Sequence, residues 1–420
     1  MISKVYIILS NQPFDSSSRT NKHFVAEELV KRGYRVIFVD PPTRFKFIKS
    51  ILKKKKLELV SKKDENLYVY YPVNIFNFIP FSYLNNLIHS ALIKYILRKW
   101  EMNNDELKII LWVYHFDFPK LFYFKKLINP RVFIDDVVDN YSAFPEYSQL
   151  DTTNKGLVKY IQKLDLFFRI LLDQRGLSGK KWVNYQEKKL AKTADIMFAS
   201  HPLLYKKFKK INKNITYNPN AGQFEIFSSK PKENHPLLVN ILKPNVLYSG
   251  ALDNYKFDSE LFEYTVKKLP HVNFALVGPV NLSDSNQNIN KLKKYKNVYF
   301  VGQIDRGDIY SYFFDAYIIP YRINDYTYYG CFPIKLYNAL STGVPVVVTE
   351  LPAYEGLESV TYISKNKVEF VKNLRIAILD TDKEKVRQRI QVASKNTWVN
   401  KVNNQLIAIN AFINNSKDLD

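Results

Sequence analysis

Apolar runs alternate with stretches of helical apolar spacing from the start of the chain. The unbroken run Val5–Leu9 is typical of a strand buried on both faces of a parallel sheet. A helical pattern follows and ends at Gly33, and Val36–Val39 predicts the next strand. This strand–helix–strand order begins a doubly wound domain. Further strands are predicted at Ile109–Val113, Val132–Ile134 and Ile196–Ala199.

The pattern restarts after the polar, Pro-rich stretch 219–236, which predicts a linker. We therefore expect an α/β fold of two doubly wound, Rossmann-like domains facing across a cleft, at residues 1–220 and 221–395. Residues 396–420 have helical spacing and are expected to pack back on the first domain. The second domain is predicted to contain strands at Val246–Tyr248, Asn273–Val277, Val298–Val301, Ala316–Pro320 and Pro345–Thr349, with helices at Ser259–Lys268 and Pro333–Ser341.

The chain is strongly basic. Its 420 residues include 62 Lys and Arg against 40 Asp and Glu, a net charge of +22, which favours a polyanionic partner. One cysteine excludes a disulfide scaffold and a cysteine-based zinc site, and no Gly-rich dinucleotide fingerprint occurs. No signal peptide and no apolar stretch of about 18 residues is found. We expect a cytoplasmic protein, attached peripherally to the inner face of the membrane.

The stretch from Tyr321 to Pro345 carries the strongest chemical signal. Pro333 suits a helix start, where free N–H groups favour a phosphate. Lys335 and Asn338 share a face near that start, and Arg322 follows the preceding strand. The stretch predicts a diphosphate site, against the alternative of a solvated surface lysine.

The second half carries an ordered set of motifs at Pro219–Gly222 with Phe224, Gly250–Asp253, Leu276–Pro279, Asn297–Gly302, Pro320–Asn324 and Pro333–Val347. In these motifs it resembles the donor half of GT-B glycosyltransferases. It is most similar to bacterial capsular and teichuronic-acid-type transferases and to the xanthan β-glucuronosyltransferase family. The resemblance implies a nucleotide-sugar site at Gly250, Gly278, Pro279, Tyr321, Arg322, Pro333, Ile334, Lys335 and Asn338.

Two departures separate the chain from retaining family-4 transferases. Gly330 and Asn338 occupy the places of that family's paired glutamates. Ala251 stands where the family has Arg after the strand-end glycine, and Lys256 is the nearest cation. Lys335 with an amide three residues later fits the glucuronosyltransferase-like pattern, so the departures favour an inverting enzyme.

An inverting transferase needs a base to accept the proton of the acceptor hydroxyl. Asp135, Asp136 and Asp139 are predicted to follow a strand, and the resemblance favours Asp139 as base. Asp135 and Asp136 are alternates with a competing role in capping the strand. His115 is another alternate, against a structural role among aromatic neighbours.

The loop after the first strand is expected to contact the acceptor through Asn11, Arg19 and Thr20, although Arg19 has an alternative role in stabilising the fold. No cluster of His, Asp and Glu has metal-ligand spacing, and neither a catalytic metal nor another cofactor is expected.

Cations lie beside apolar residues in Arg44–Lys56, which favours attachment to an anionic membrane. Leu84–Ile96 and Leu157–Leu172 are also amphipathic, with core packing as the alternative. Nucleic acid is not expected, because no nucleic-acid-binding motif accompanies the charge. The predicted membrane residues are Phe45, Phe47, Lys53, Lys54, Lys55 and Lys56.

These patterns predict a metal-independent, inverting glycosyltransferase. The donor would be a nucleoside-diphosphate sugar, UDP-linked, and the acceptor a polyprenyl-diphosphate-linked oligosaccharide of envelope or capsular polysaccharide synthesis. Two alternatives stay open: a retaining family-4-like transferase, and a non-enzymatic basic protein that binds membrane or nucleic acid. A nucleotide-sugar epimerase shares the architecture, but the cluster of acids and His that it needs around the sugar is not located in the sequence.

Overall fold

The computed structural model describes residues 4–16, 18–42, 58–76, 82–100, 108–144, 179–280, 287–304 and 311–415. The chain divides into an N-terminal unit, Met1–Asn218 with Val402–Asp420, and a C-terminal unit, Pro219–Lys401. The sequence analysis placed the boundaries after residues 220 and 395, and the structure divides the chain after Asn218 and after Lys401. The final segment is shared by the two units instead of belonging to one.

The N-terminal unit is built on a mainly parallel sheet. Its strands are Lys4–Leu9 (β1), Arg35–Val39 (β2), Val60–Asp64 (β3), Leu67–Tyr70 (β4), Lys108–Val113 (β5), Val132–Val137 (β6), Ile196–Ala199 (β7) and Ile215–Tyr217 (β8). Its helices are Asn21–Lys31 (α1), Ser82–Lys99 (α2), Leu121–Ile128 (α3), Gly179–Thr193 (α4) and Pro202–Lys209 (α5).

The strand order of this sheet is β3-β4-β2-β1-β5-β6-β7-β8, in which β3 and β4 are antiparallel and the other neighbours parallel. Val5 to Ile8 of β1 are fully buried, as an unbroken apolar run predicts. From β1 the chain adds strands first on one side and later on the other. The carboxyl ends of β1 and β5 therefore flank a topological switch point, where ligands of such sheets bind.

The C-terminal unit is built on a fully parallel sheet in its described part. Its strands are Asn245–Ser249 (β9), Asn273–Val277 (β10), Val298–Gly302 (β11), Ala316–Ile319 (β12), Val346–Thr349 (β13) and Tyr362–Ser364 (β14). Its helices are Phe224–Phe227 (α6), Ser259–Lys268 (α7), Gln287–Leu292 (α8), Asp325–Gly330 (α9), Lys335–Ser341 (α10), Lys367–Ile378 (α11) and Lys383–Lys395 (α12).

The strand order of the second sheet is β11-β10-β9-β12-β13-β14. Its switch point therefore lies between β9 and β12. Phe262, Phe274 and Leu374 are among the buried side chains that pack helices on the sheet. A last helix, Trp398–Asn415 (α13), begins in the C-terminal unit and ends in the N-terminal unit.

The structure corrects three predicted elements. Asp135 and Asp136 do not follow a strand, because β6 continues through them to Val137. Residues 219–236 are not simply a linker, since they belong to the C-terminal unit, contain α6 and bury Ala221. Helix α10 begins at Lys335, two residues later than expected, although the Pro333 carbonyl accepts a hydrogen bond from the Leu336 N–H at 3.2 Å.

The predicted membrane segment, Arg44–Lys56, lies outside the described residues, as does the amphipathic stretch Leu157–Leu172. The stretch Leu84–Ile96 lies within α2, where Ile93 and Ile96 are buried. Among the described helices, none is both long enough and apolar enough to cross a membrane.

Candidate functional site

The carboxyl ends of β9 and β12 place several of the predicted donor-binding residues together. Gly250 directly follows β9, and Tyr321 follows β12 after a single proline. The two strands are neighbours, with Tyr317 opposite Leu247. Since this pair forms the switch point, the polar groups beyond its ends define the candidate site of the C-terminal unit.

Two predicted glycines bring backbone segments into close contact here. Gly250 and Gly278 have φ values of 145° and 138°, which L side chains rarely adopt. A β-carbon at position 278 would lie 2.1 Å from the Gly250 carbonyl oxygen. The Gly250 N–H donates to the Val277 carbonyl at 2.8 Å. A side chain at position 278 would therefore prevent this approach of the two strand ends, and the φ value of Gly250 favours glycine there as well.

Lys335, the first residue of α10, extends its ammonium group to the same place. Its Nζ lies 4.5 Å from the ring centroid of Tyr248 and 5.6 Å from that of Tyr321. A β-carbon on Gly250 would lie 2.0 Å from this nitrogen. The structure therefore brings Lys335, Tyr321 and Gly250 together. Tyr248, which the sequence analysis did not select, supplies one wall of the site.

A second cation lies on the loop after β9. Lys256 pairs with the buried carboxylate of Asp253, with Nζ and Oδ2 3.1 Å apart. Burial lowers the pKa of Lys256, but the charge of Asp253 together with those of Tyr255, Cys331 and Tyr248 outweighs this effect, and the net pKa is raised. The Lys256 carbonyl accepts a hydrogen bond from the Arg322 N–H at 2.7 Å. Arg322, another predicted residue, is thus tied by its backbone to the Lys256 loop.

The remaining predicted donor residues have varied surroundings. Pro279 is exposed, and its carbonyl accepts from the Leu252 N–H at 2.9 Å. Pro333 is buried and Ile334 half-buried, just before α10. The buried Asn338 Oδ1 accepts from the Gln223 N–H at 2.9 Å, so this amide attaches residues 220–223 to α10. The Asn220 side chain adds a 2.8 Å hydrogen bond to the Phe332 carbonyl.

In the N-terminal unit, β6 carries the acidic residues. Asp136 is fully buried, and its Oδ2 accepts from Trp112 Nε1 at 3.2 Å and from Gln405 Nε2 of α13 at 3.0 Å. Burial raises the pKa of Asp135 well above its usual value, and the nearby Asp136 and Glu187 charges add to this. Asp135 and Asp136, two of the alternates for the base, therefore lie within a strand of the sheet and not beyond its end.

Asp139 lies two residues beyond β6 and is half-buried. Its charge acts on Tyr141, whose pKa is raised well above its usual value by burial and by the Asp139 and Asp135 charges. Its charge also acts on Lys22, near the start of α1. Among the three aspartates, Asp139 is the one that combines partial exposure with a position after the strand.

Lys22 was not selected from the sequence. It is 4% exposed, and its Nζ donates to the Asn11 side-chain oxygen at 2.5 Å. Burial lowers the pKa of Lys22, the Asp139 and Asp136 charges partly offset this effect, and the resulting pKa is about 8. The signal was present, because Lys22 shares the apolar face of α1 with Val25 and Leu29. A lysine on a buried helix face requires a polar partner.

The other predicted acceptor residues lie close in sequence to this lysine. Thr20 Oγ1 donates to Gln12 Oε1 at 2.8 Å, next to Asn11. Arg19 forms an ion pair with Glu27, and its guanidinium lies 5.7 Å from the ring centroid of Phe24. These contacts agree with the alternative role of Arg19, in which it stabilises the fold.

His115 follows β5 at the switch point and is buried. Its Nδ1 accepts from the Asp117 N–H at 3.1 Å, and its ring lies 4.3 Å from that of Tyr141, centroid to centroid. The backbone N–H of Asp117 and the edge-on contact with the Tyr141 ring therefore fix the orientation of the His115 ring. In the part of the chain that the structure describes, no group of three or more His, Cys, Asp and Glu side chains has metal-binding geometry.

Comparison with known proteins identifies the second half of the chain. Residues 243–380 match the family described as glycosyl transferases group 1. Over 184 residues the chain is 25% identical to a Bacillus subtilis (strain 168) protein provisionally named teichuronic acid biosynthesis glycosyltransferase TuaH. This stretch is 41% of the chain and 45% of TuaH, so the match spans less than half of that relative.

Two solved structures match nearly the whole chain. Sucrose-phosphate synthase from Thermosynechococcus elongatus has a TM-score of 0.65 and 13% identity, over 97% of this chain and 98% of its own. Anabaena Alr3699/HepE, solved in complex with UDP, has a TM-score of 0.64 and 14% identity, over 97% and 99%. At these identities the similarity establishes the fold. The chain has the GT-B fold, and the resemblance drawn from its motifs is confirmed. Within its C-terminal unit, residues 243–380 are similar to glycosyl transferases group 1.

Proposed function

We propose that the protein is an inverting glycosyltransferase that uses a UDP-linked sugar. The observation that carries the proposal is the Lys335 ammonium against Gly250, beyond the ends of β9 and β12. A cation at a switch point suits the diphosphate of a nucleotide sugar. The group 1 domain match over residues 243–380 and the UDP bound by the similarly folded HepE structure support this choice of donor.

In the proposed reaction, the C-terminal unit neutralises the leaving group. As the bond between the sugar C1 and the diphosphate oxygen breaks, negative charge accumulates on the diphosphate. The Lys335 ammonium would stabilise that charge. Lys256, on the loop after β9, and Arg322, after β12, would add positive charge beyond the same two strand ends. Since side-chain cations fill this role, we propose that the reaction requires no metal ion.

The N-terminal unit would supply the base. An acceptor hydroxyl attacks C1 as the diphosphate leaves, and its proton passes to the Asp139 carboxylate. Half-exposure and a position beyond β6 support Asp139 for this role. Asp136 is enclosed by Trp112 and Gln405, and the raised pKa of Asp135 favours its protonated form.

We propose a lipid-linked oligosaccharide as acceptor, in envelope or capsular polysaccharide synthesis. The net charge of +22 supports a protein that works at the anionic inner face of the membrane. The match to TuaH, named for teichuronic acid biosynthesis, supports a polysaccharide product. The cationic stretch Arg44–Lys56 is the segment we expect to reach the membrane.

The deciding experiment is a transfer and hydrolysis assay with a panel of sugar nucleotides, with and without EDTA. We expect a UDP-sugar to be consumed, with activity unchanged by the chelator. The product should have the opposite anomeric configuration from the donor. Retention of configuration would favour the retaining alternative, and inactivity with every donor and acceptor would leave a non-enzymatic binding protein.

Membrane attachment is tested by co-sedimentation with anionic vesicles. Changing Lys53, Lys54, Lys55 and Lys56 to Glu should release the protein, because each cation near an anionic surface contributes about 1 kcal/mol. High salt should weaken attachment of the unmodified protein, and UDP affinity should stay unchanged. Binding that is indifferent to both changes would contradict an electrostatic role of this segment.

A further inference from the structure

Tyr248 lies against the proposed diphosphate site but has no part in the reaction described above. It is the last residue but one of β9, and only 1% of it is exposed. A tyrosine buried to this extent needs a partner for its hydroxyl, which a leucine or phenylalanine at the same place would not need. The Tyr248 hydroxyl donates to the Ala251 carbonyl at 2.9 Å. This hydrogen bond attaches the ring to the backbone just beyond Gly250.

The ring of Tyr248 is also held by a second residue. Phe257 packs against it with the ring centroids 4.9 Å apart, and the backbone of Phe257 forms an antiparallel bridge to that of Tyr321. Tyr321, after β12, is buried as well. The two tyrosine rings therefore stand at the ends of neighbouring strands in a packed environment that fixes their positions.

The ammonium group of Lys335 lies over these two rings. Its Nζ is 4.5 Å from the ring centroid of Tyr248 and 5.6 Å from that of Tyr321. Both distances are within the range of about 6 Å in which a ring face attracts a cation, and the attraction is stronger where water is excluded. The shorter distance assigns the larger part of the attraction to Tyr248. A neutral ring attracts the ammonium without adding a negative charge that would repel a phosphate.

An ammonium group that is held in place before the ligand arrives favours affinity. A lysine side chain is flexible, and ordering it at the moment of binding opposes association. If the side chain is already ordered over Gly250, that cost does not fall on the binding step. The contact between ring and ammonium therefore has a consequence for the ligand, although the ring itself need not touch it.

We infer that Tyr248 is a positioning residue for the donor diphosphate, because its ring face holds the Lys335 ammonium over Gly250 and its hydroxyl fixes the ring. The inference rests on the proposed function, since it takes Lys335 as the cation that binds the diphosphate. It adds a residue that acts on the ligand through the charge of its neighbour.

The test is the affinity for UDP, measured by calorimetric titration. Tyr248→Leu removes the ring face and should weaken binding roughly tenfold, whereas Tyr248→Phe keeps the face and should recover most of this loss. Tyr264→Leu is the matched control, because Tyr264 of α7 also lies beneath a lysine, with Lys367 Nζ 5.0 Å from its ring centroid. This control should bind UDP like the unmodified protein.

Fluorinated phenylalanines at position 248 separate the charge distribution of the ring from its packing. Successive fluorine atoms withdraw negative charge from the ring face with little change of shape, so each weakens the attraction for a cation. UDP affinity should therefore fall stepwise with the number of fluorine atoms. Equal affinity across the series would overturn the inference. The series also decides the case in which Tyr248→Leu does not fold, because every member keeps an aromatic side chain.

A double variant separates this inference from the proposed site. In the Lys335→Ala background, Tyr248→Leu should cause no further loss of affinity, because the ring then has no ammonium to hold. A further loss of full size would overturn the inference. So would a gain of affinity in Tyr248→Leu alone, since the ring would then hold the ammonium away from the ligand.

The single variants distinguish the two possible failures. Lower UDP affinity in Lys335→Ala together with unchanged affinity in Tyr248→Leu would overturn the inference and leave the proposed site standing. Unchanged affinity in Lys335→Ala, or no UDP binding by the unmodified protein, would overturn the proposed site and the inference with it.

Discussion

The ammonium group of Lys335 occupies the space that a side chain at position 250 would fill. A β-carbon on Gly250 would lie 2.0 Å from Lys335 Nζ and 3.3 Å from the Tyr248 hydroxyl. The two residues are 85 positions apart in sequence (335 minus 250), yet a side chain at position 250 would displace the Lys335 ammonium. This relationship links a backbone feature to the charge that we assign to diphosphate binding.

Gly250→Ala should weaken UDP binding through displacement of Lys335. The methyl group cannot coexist with the ammonium in its present position, so we expect a loss of affinity of roughly tenfold, similar to that of removing the charge. Calorimetric titration with UDP measures it. Gly356→Ala is the matched control, because Gly356 also has a positive φ, 84°, but nothing lies within 4 Å of its β-carbon position. Equal losses in both variants would indicate backbone strain alone.

Lys335→Ala should lower UDP affinity about tenfold or more. A charge-assisted contact to phosphate contributes ~1.5–3 kcal/mol, and the variant removes it without changing the backbone. Lys383→Ala, at an exposed lysine of α12, should bind UDP like the unmodified protein. In the double variant with Gly250→Ala, the losses of UDP affinity from the two changes should not add, because both changes act on the same ammonium group. Unchanged affinity in Lys335→Ala would mean that the diphosphate binds elsewhere.

Asp139→Asn should keep UDP affinity and lose transfer. An amide has nearly the same shape as a carboxylate but cannot accept the proton, and loss of a general base costs ~10²–10⁴ in rate. Single-turnover transfer with a saturating donor measures the effect. Asp64→Asn, at an exposed carboxylate that ends β3, serves as the comparison. Near-normal turnover in Asp139→Asn would assign the base to Asp135, Asp136 or His115.

Arg389→Met should destabilise the C-terminal unit. The Arg389 side chain, 2% exposed, pairs with Asp380 and donates to the Gly343 carbonyl at 3.1 Å. Removal leaves a buried carboxylate without its cation, which costs ~3–5 kcal/mol. Denaturant unfolding at pH 7 measures the loss. Arg387→Met, at an exposed position of the same helix, should change the free energy of unfolding little. Comparable losses in both variants would contradict a special role for the buried pair.

The same pair predicts a stability change in acid. Burial raises the pKa of Asp380, but hydrogen bonds from Tyr362 and Arg389 outweigh it and leave the pKa below its usual value of 3.8. The contribution of Asp380 is therefore complete above the unfolded pKa and is lost as pH falls through the folded one. Unfolding measured from pH 6 down to pH 2 should show this loss, and Asp380→Asn should lack it.

The fold could be predicted because its signals are local. Buried runs such as Val5–Leu9 and Asn273–Val277, separated by helical spacing, are sufficient for parallel strands in a doubly wound domain, and the structure confirms them. The order of motifs in the second half made the GT-B resemblance visible, and the comparisons confirm it.

Long-range polar contacts could not be predicted in the same way. Asp136 was expected at a strand end, because an acid inside a strand is unfavourable unless it is paired. Its partner Gln405 lies 269 positions away, and nothing near Asp136 in sequence indicates it. Lys22 was missed for a similar reason, since Asn11, which accepts its hydrogen bond, comes from a separate segment. The membrane segment and the roles of the site residues stay predictions.

The hydrogen bond from Gln405 to Asp136 has a consequence for synthesis on the ribosome. The C-terminal unit, Pro219–Lys401, is one continuous stretch, whereas the N-terminal unit also needs residues after Val402. Domains usually complete their folding in the order of translation. Here the buried Asp136 acquires its donor from α13 only when the final helix has emerged. The N-terminal unit is thus translated first but completes its folding last. A premature stop codon after Lys401 would remove part of the N-terminal unit and leave every residue of the C-terminal unit in place.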